Sequence, residues 1–140
     1  MGAEELVSGA GFVALLILGT LSLAFGLTAI LASRPFRIDA RRSPAEQRAL
    51  DLLREWLSPA QRTDFERHGH FEVTGSRGNR YRIRYNRVVN ILELDWRGAP
   101  MASWCFGPEG NLPTGDIMLA QKIALETDED TTLAIAIRHR

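Results

Sequence analysis

Charge is missing from the first quarter of this chain. Between Leu6 and Ser33 there is no Asp, Glu, Lys, Arg or His, and the run "GFVALLILGTLSLAFGLTAILA" is almost wholly apolar. A hydrocarbon core about 30 Å thick takes roughly 20 such residues at about 1.5 Å rise each. The sequence therefore predicts a transmembrane helix within residues 1–33. A cleaved secretory signal would need a basic start and a shorter apolar core of about 7–15 residues, whereas the chain opens on "MGAEEL". N-myristoylation of Gly2 would need Ser or Thr where Leu6 stands.

Cysteine is nearly absent too. Cys105 is the only one, which excludes an intrachain disulfide and suits a reducing compartment. No N-x-[ST] acceptor occurs. Of 17 basic residues only Lys122 is a lysine. A phosphate-cradling G-x-x-x-x-G-K-[ST] loop is also lacking.

The charges that are present sit unevenly. Arg34, Arg37, Arg41 and Arg42 follow the apolar run with only Asp39 against them, and Glu4 and Glu5 precede it. Basic flanks stay on the cytoplasmic side of a span. The expected topology has the N-terminus outside an inner membrane and the rest of the chain in the cytoplasm. Those four arginines, within a linker of residues 34–42, would lie at anionic lipid headgroups. From Pro44 onward the chain is close to neutral, with 13 basic and 14 acidic residues.

Past the linker, "SPAEQRALDLLREWL" opens with Ser43, Pro44 and Glu46 set out as a capping box. Ala45, Ala49, Leu52, Leu53, Trp56 and Leu57 recur there at helical spacing and define an expected buried face. "SPAQRTDFERHG" repeats the device with Ser58, Pro59 and Gln61 and stops at Gly69. From Phe71 the period becomes two. "FEVTG", "RYRIRY", "VVNILELDW" and "MASWCF" read as four strands of an antiparallel meander. After "GPEGNLPTGD", a helix over "DIMLAQKIALE" is expected, with Thr114 as N-cap, Asp116 in its first turn and Ile117, Ala120, Ile123 and Ala124 facing the core. "LAIAI" reads as helix in preference to strand. The fold class is α+β: an N-terminal transmembrane helix, then over residues 43–140 a two-layer domain of two helices, a four-stranded sheet and a C-terminal helix.

"WLSPAQRTDFERHGHFEVTGSRGNRYRI" and "CFGPEGNLPTGDIMLAQKIALE" together resemble a small domain of uncharacterised alphaproteobacterial proteins. In those, a "Y/F-E-V-x-G-S" strand, a strand bearing Trp or Cys and an "LP-x-GD-x-MLAQKIALE" helix follow in the same order. The resemblance covers about residues 56–137. It implies one folded unit and supplies no catalytic residues.

"NRYRIRYNR", residues 79–87, carries the densest charge. Period two puts Tyr81, Ile83 and Tyr85 on one face and Arg80, Arg82 and Arg84 on the other. Glu72, Glu93 and Asp95 on the flanking strands are candidates to pair with these arginines. A solvated, internally paired face is the bland reading, and a protein or anionic-lipid surface the sharper one. Nucleic acid is disfavoured by the neutral domain and inward tyrosines. His68 and His70 lack a second ligand pair for zinc. Gly69 explains "HGH" as a helix terminator. Glu109 stands in a loop read as a turn into a capped helix, with recognition as the alternative. Cys105, in "SWCFG", reads as a buried core thiol.

These observations converge on a non-catalytic single-pass membrane protein with no cofactor. Its cytoplasmic domain would bind another protein, as accessory or assembly subunit of a membrane complex. Candidate contacts are Arg80, Arg82, Arg84 and Glu109. Small-xxx-small pairs in the apolar run, Ser22 with Gly26 and Ala10 with Ala14, would permit a homodimer. The alternative is a membrane-tethered binder of nucleic acid or an anionic ligand through the arginine strand.

Overall fold

The computed structural model describes residues 43–139. The expected span and the strip Arg34 to Arg42 lie outside them. Among the described residues no helix is long and apolar enough to cross a membrane. They form an α+β domain of four helices and a five-stranded antiparallel sheet.

Helix α1 (Pro44–Trp56) starts where Ser43 accepts the Glu46 N–H at 3.1 Å. The reciprocal half of the expected capping box is not made. The Glu46 side chain instead accepts the Thr114 N–H at 2.7 Å and the Tyr85 hydroxyl at 3.1 Å. Helix α2 (Pro59–His68) does carry the full box, with Ser58 and Gln61 bonded both ways. Gly69 ends it at φ +70°, the left-handed region that glycine enters without strain.

Strands β1 (His70–Thr74), β2 (Arg80–Arg84), β3 (Ile91–Leu94) and β4 (Pro100–Cys105) form the expected meander, β3 being shorter than its apolar run because Val88 to Asn90 belong to a loop. Helix α3 (Thr114–Thr127) and a short α4 (Glu129–Ile135) follow, and then β5 (Ile137–His139) pairs antiparallel with β4. The expected four strands are thus five. "LAIAI" is divided between the end of α4 and the start of β5, the helix breaking at Ala136, which is extended at ψ 145°.

The helices pack on the sheet face that carries Phe71, Val73, Tyr81, Ile83 and Ile91, all buried. Phe65 of α2 meets Phe71 and Tyr85 edge to face, with centroids 6.1 and 6.2 Å apart. That geometry suits aromatic quadrupoles, and burying each Phe contributes roughly 1.5–3 kcal/mol.

Two helix faces differ from the periodic reading. In α1 the buried residues are Ala49, Leu50 and Leu53, with Leu57 just beyond, while Leu52 and Trp56 are 42% and 57% exposed. In α3 they include Gly115, Met118, Leu119, Lys122 and Leu125, and Ile123 is exposed. The cause is the close crossing of the two helices. A Cβ on Gly115 would stand 2.6 Å from the Ala49 carbonyl carbon, so only glycine lets the backbones meet there. That contact fixes the rotation of both helices. Nor does Thr114 cap α3. Pro113 holds the cap position without a side-chain bond, and the Glu46 carboxylate does the capping from another helix.

Candidate functional site

The sheet face opposite the helices carries the arginine strand. Register places Glu72 of β1, Arg82 of β2, Leu92 of β3, Ser103 of β4 and His139 of β5 in one row across the sheet. Arg80 and Arg82 both reach Glu72, at 2.6 and 2.7 Å. Burial alone would raise the Glu72 pKa. The bonds from Arg82 and Arg80 outweigh it and hold the carboxyl below the ordinary value.

The other expected acidic partners do not take part. Glu93 pairs in register with Tyr81, the inward face, and accepts the Trp104 Nε1–H at 3.0 Å. Asp95 closes the β3–β4 turn by accepting the Arg97 and Ala99 N–H groups, each at 2.8 Å. One carboxylate therefore serves two arginines.

Arg84 has none. Its Nη2 donates to the Val89 carbonyl at 2.6 Å, and its buried Nε meets no hydrogen-bond partner among the described residues. Burial, then the nearby charges of Arg87 and Arg82, press its pKa downward. The three expected arginines thus share a face but divide in role. Glu109 stands exposed in the β4–α3 loop and pairs with none of them.

Tyr81 and Ile83 are fully buried as expected. Tyr85 lies just past β2, half-buried on Phe65, and its hydroxyl reaches Glu46. Tyr81 donates to the Glu129 carboxylate of α4 at 2.5 Å. Glu129 also accepts from Asn79 Nδ2 at 2.5 Å and from the Arg77 N–H at 2.9 Å. Burial, then this carboxylate, raises the Tyr81 pKa well above its usual value. Burial alone would raise Glu129 as well, but the bonds from Tyr81, Asn79 and Arg77 hold it below 4.5. The periodic reading missed this cluster. Its only trace in the sequence is an acidic residue opening a short helix.

A cleft of about 410 Å³ opens beside the β2–β3 loop, bounded by Asn86, Arg87, Val88, Cys105, Phe106 and Ile117. Beneath it Asn90 and Gln121 exchange amide bonds at 2.7 and 3.1 Å, and Gln121 also donates to the Phe106 carbonyl at 2.5 Å. Those amides hold the β2–β3 loop, the β4–α3 segment and α3 together. Cys105 is partly exposed in this cleft, not the buried core thiol expected, because its neighbour Trp104 takes the core-facing position and strand alternation turns Cys105 away. Its thiol faces the Val88 carbonyl at 3.4 Å, and no base bonds to it. His68 and His70 stack at 5.5 Å. Burial, then Arg82, lowers the His70 pKa. Among the described residues no three His, Cys, Asp or Glu come together as a metal site.

Beyond the arginines the same face turns apolar. Met101 and Ile137 are each 64% exposed, and Trp96, on the β3–β4 turn, is 79% exposed with Arg97 over its ring at 4.3 Å. A groove of about 500 Å³ runs here along Leu92, Pro100, Met101, Ser103 and His139. Comparison with protein families, curated proteins and solved structures finds no match to this chain.

Proposed function

We propose that this chain is a non-catalytic, single-pass inner-membrane protein whose cytoplasmic domain binds another protein, as accessory or assembly subunit of a membrane complex. The N-terminus would face outward, with the basic strip Arg34 to Arg42 at the headgroups. The uncharged run before Arg34 supports the anchor.

The observation that carries the binding role is the uncovered groove lined by Leu92, Pro100 and Met101, with Met101 64% exposed, beside the β3–β4 turn that carries the exposed Trp96. Exposed large side chains grouped in one place mark interaction surfaces, while single scattered ones do not. A non-catalytic role is supported by how the polar groups are used: Glu129, Gln121, Asn90 and Glu46 all bind parts of the fold.

A photo-crosslinking residue at Met101 tests this in native membranes. The expected result is one dominant crosslinked protein, absent when the probe replaces Arg48 on the helix side. Equal labelling of many proteins from both positions would contradict it.

The second reading, a tethered binder of nucleic acid or another anion through Arg80, Arg82 and Arg84, draws on Arg84 having no carboxylate partner among the described residues. Steep loss of binding with added salt would favour it.

A further inference from the structure

The end of the domain at which the chain arrives from residues 34–42 can be identified from its bonds. Glu46, in the first turn of α1, holds Tyr85, and the Tyr85 N–H donates to the Gly69 carbonyl at 2.8 Å. Ser43, Gly69 and the β2–β3 loop of residues 86–90 therefore gather at one end. The β1–β2 and β3–β4 turns, with Trp96, lie at the other end of the strands.

A linker of nine residues spans at most about 32 Å when fully extended. A domain tethered by it keeps its Ser43 end close to the bilayer. At that end Val88 is 89% exposed at the tip of the loop, next to Arg87. Arg84 lies beneath, partly exposed, its buried Nε without a partner among the described residues. Neither arginine forms an ion pair with a described residue, and Glu46, in the first turn of α1, is occupied by Thr114 and Tyr85. Glu109 and Asp116 of the neighbouring segment pair with neither.

We propose that Arg84, Arg87 and Val88 dock the domain on the membrane, the guanidinium groups taking lipid phosphate and Val88 entering the headgroup layer. This rests on the single-span reading above. Arg87 is exposed, Arg84 is partly so, and neither has a carboxylate partner among the described residues, so a phosphate oxygen supplies the missing counter-charge, and charge-assisted bonds of this kind are among the stronger ones. Val88, exposed and directly after Arg87, suits the boundary between headgroups and acyl chains. Docking at this end leaves the Trp96 and Met101 surface turned away from the bilayer and free for a protein.

The test uses the full-length chain with Cys105→Ser and Val88→Cys, labelled with an environment-sensitive dye. It is reconstituted into bilayers of zwitterionic lipid alone or with one-third anionic lipid. The expected result is a blue shift and shielding from an aqueous quencher in the anionic bilayers only. Label placed through Trp96→Cys should stay exposed in both.

Replacing Arg84 and Arg87 by Gln should lower the docked-to-undocked ratio roughly 30-fold, the factor that corresponds to about 2 kcal/mol for two charges at an anionic surface. Equal exposure of the Val88 label in both bilayers would overturn the proposal. So would undiminished shielding in the double variant. Inorganic phosphate at millimolar concentration that binds the arginines and releases the domain from anionic bilayers would assign the site to free phosphate and overturn the lipid contact. A chain that alkaline carbonate strips from membranes would defeat the anchor itself, a failure separate from these.

Discussion

The Glu46 carboxylate of α1 accepts the Thr114 N–H at 2.7 Å, so the first helix caps the third across 68 residues of sequence. The same side chain accepts the Tyr85 hydroxyl at 3.1 Å and ties both helices to the end of β2. One carboxylate thus joins the three parts of the fold that meet near Ser43. Glu46→Ala should destabilise the domain by about 1–2 kcal/mol, the scale of a lost cap with a second bond added. Glu46→Gln keeps an acceptor and should lose less. Urea unfolding of both variants, compared at equal slope, checks the difference.

Gly115→Ala should cost roughly 1–3 kcal/mol, as overpacking of a tight contact does. The new methyl would meet Ala49 and Leu50 backbone atoms at 2.6–2.7 Å, and backbone cannot swing aside as a side chain can. Thermal unfolding reads the loss, expected at roughly 4–8 °C per kcal/mol for a domain of this size. An unchanged transition would mean that α1 and α3 do not cross so closely.

Glu129→Ala removes the acceptor of three donors, Tyr81 Oη, Asn79 Nδ2 and the Arg77 N–H. Tyr81 is buried and its orphaned hydroxyl costs about 1–3 kcal/mol, while Asn79 and Arg77 are exposed and lose less, so a total of roughly 2–3 kcal/mol is expected. Gly75→Ala should act on the same cluster, because its Cβ would overlap the Glu129 carboxylate. The two changes share one contact, so their effects should not add.

Acid should unfold the domain in a defined order. Burial and then Arg82 hold the His70 pKa below 6.5, so the unfolded chain takes up that proton first and stability begins to fall below about pH 6.5. Glu129 and Glu72 have folded pKa values below 4.5, because hydrogen bonds to their charged forms outweigh burial. Their contribution is complete above about pH 4.5 and is lost as pH falls through the folded values. Glu129→Gln should therefore flatten the slope of stability below pH 4.5 and leave the region above it unchanged. Denaturation midpoints between pH 3 and 7 supply the test.

Much of the fold was legible in the local pattern. Ser43 and Ser58 with their prolines mark two helix starts, Gly69 marks a stop, and the alternation of "RYRIRY" puts Tyr81 and Ile83 in the core. What the pattern concealed came from contacts distant in sequence. A Ser-Pro-x-Glu motif reads as a capping box, and only the approach of α3 draws Glu46 away to Thr114. The rotation of α1 and α3 follows from Gly115 meeting Ala49, which no period along one helix reveals. The arginine face was legible as a face, and its pairing was not. Antiparallel register sets Glu93 opposite Tyr81 and the following turn engages Asp95, so Glu72 alone serves Arg80 and Arg82. β5 is three residues long, and so short a strand leaves almost no alternation to detect.

The central claim is a membrane-bound domain that presents its apolar sheet face to a protein. Its most direct test is a mild-detergent pulldown of the tagged full-length chain from its native membrane, with mass spectrometry of what accompanies it. The account predicts one stoichiometric membrane protein, retained at high salt and lost in a Met101→Glu variant that still folds. Recovery of the chain alone, or with nucleic acid that salt removes, would contradict it and shift the weight to Arg80, Arg82 and Arg84.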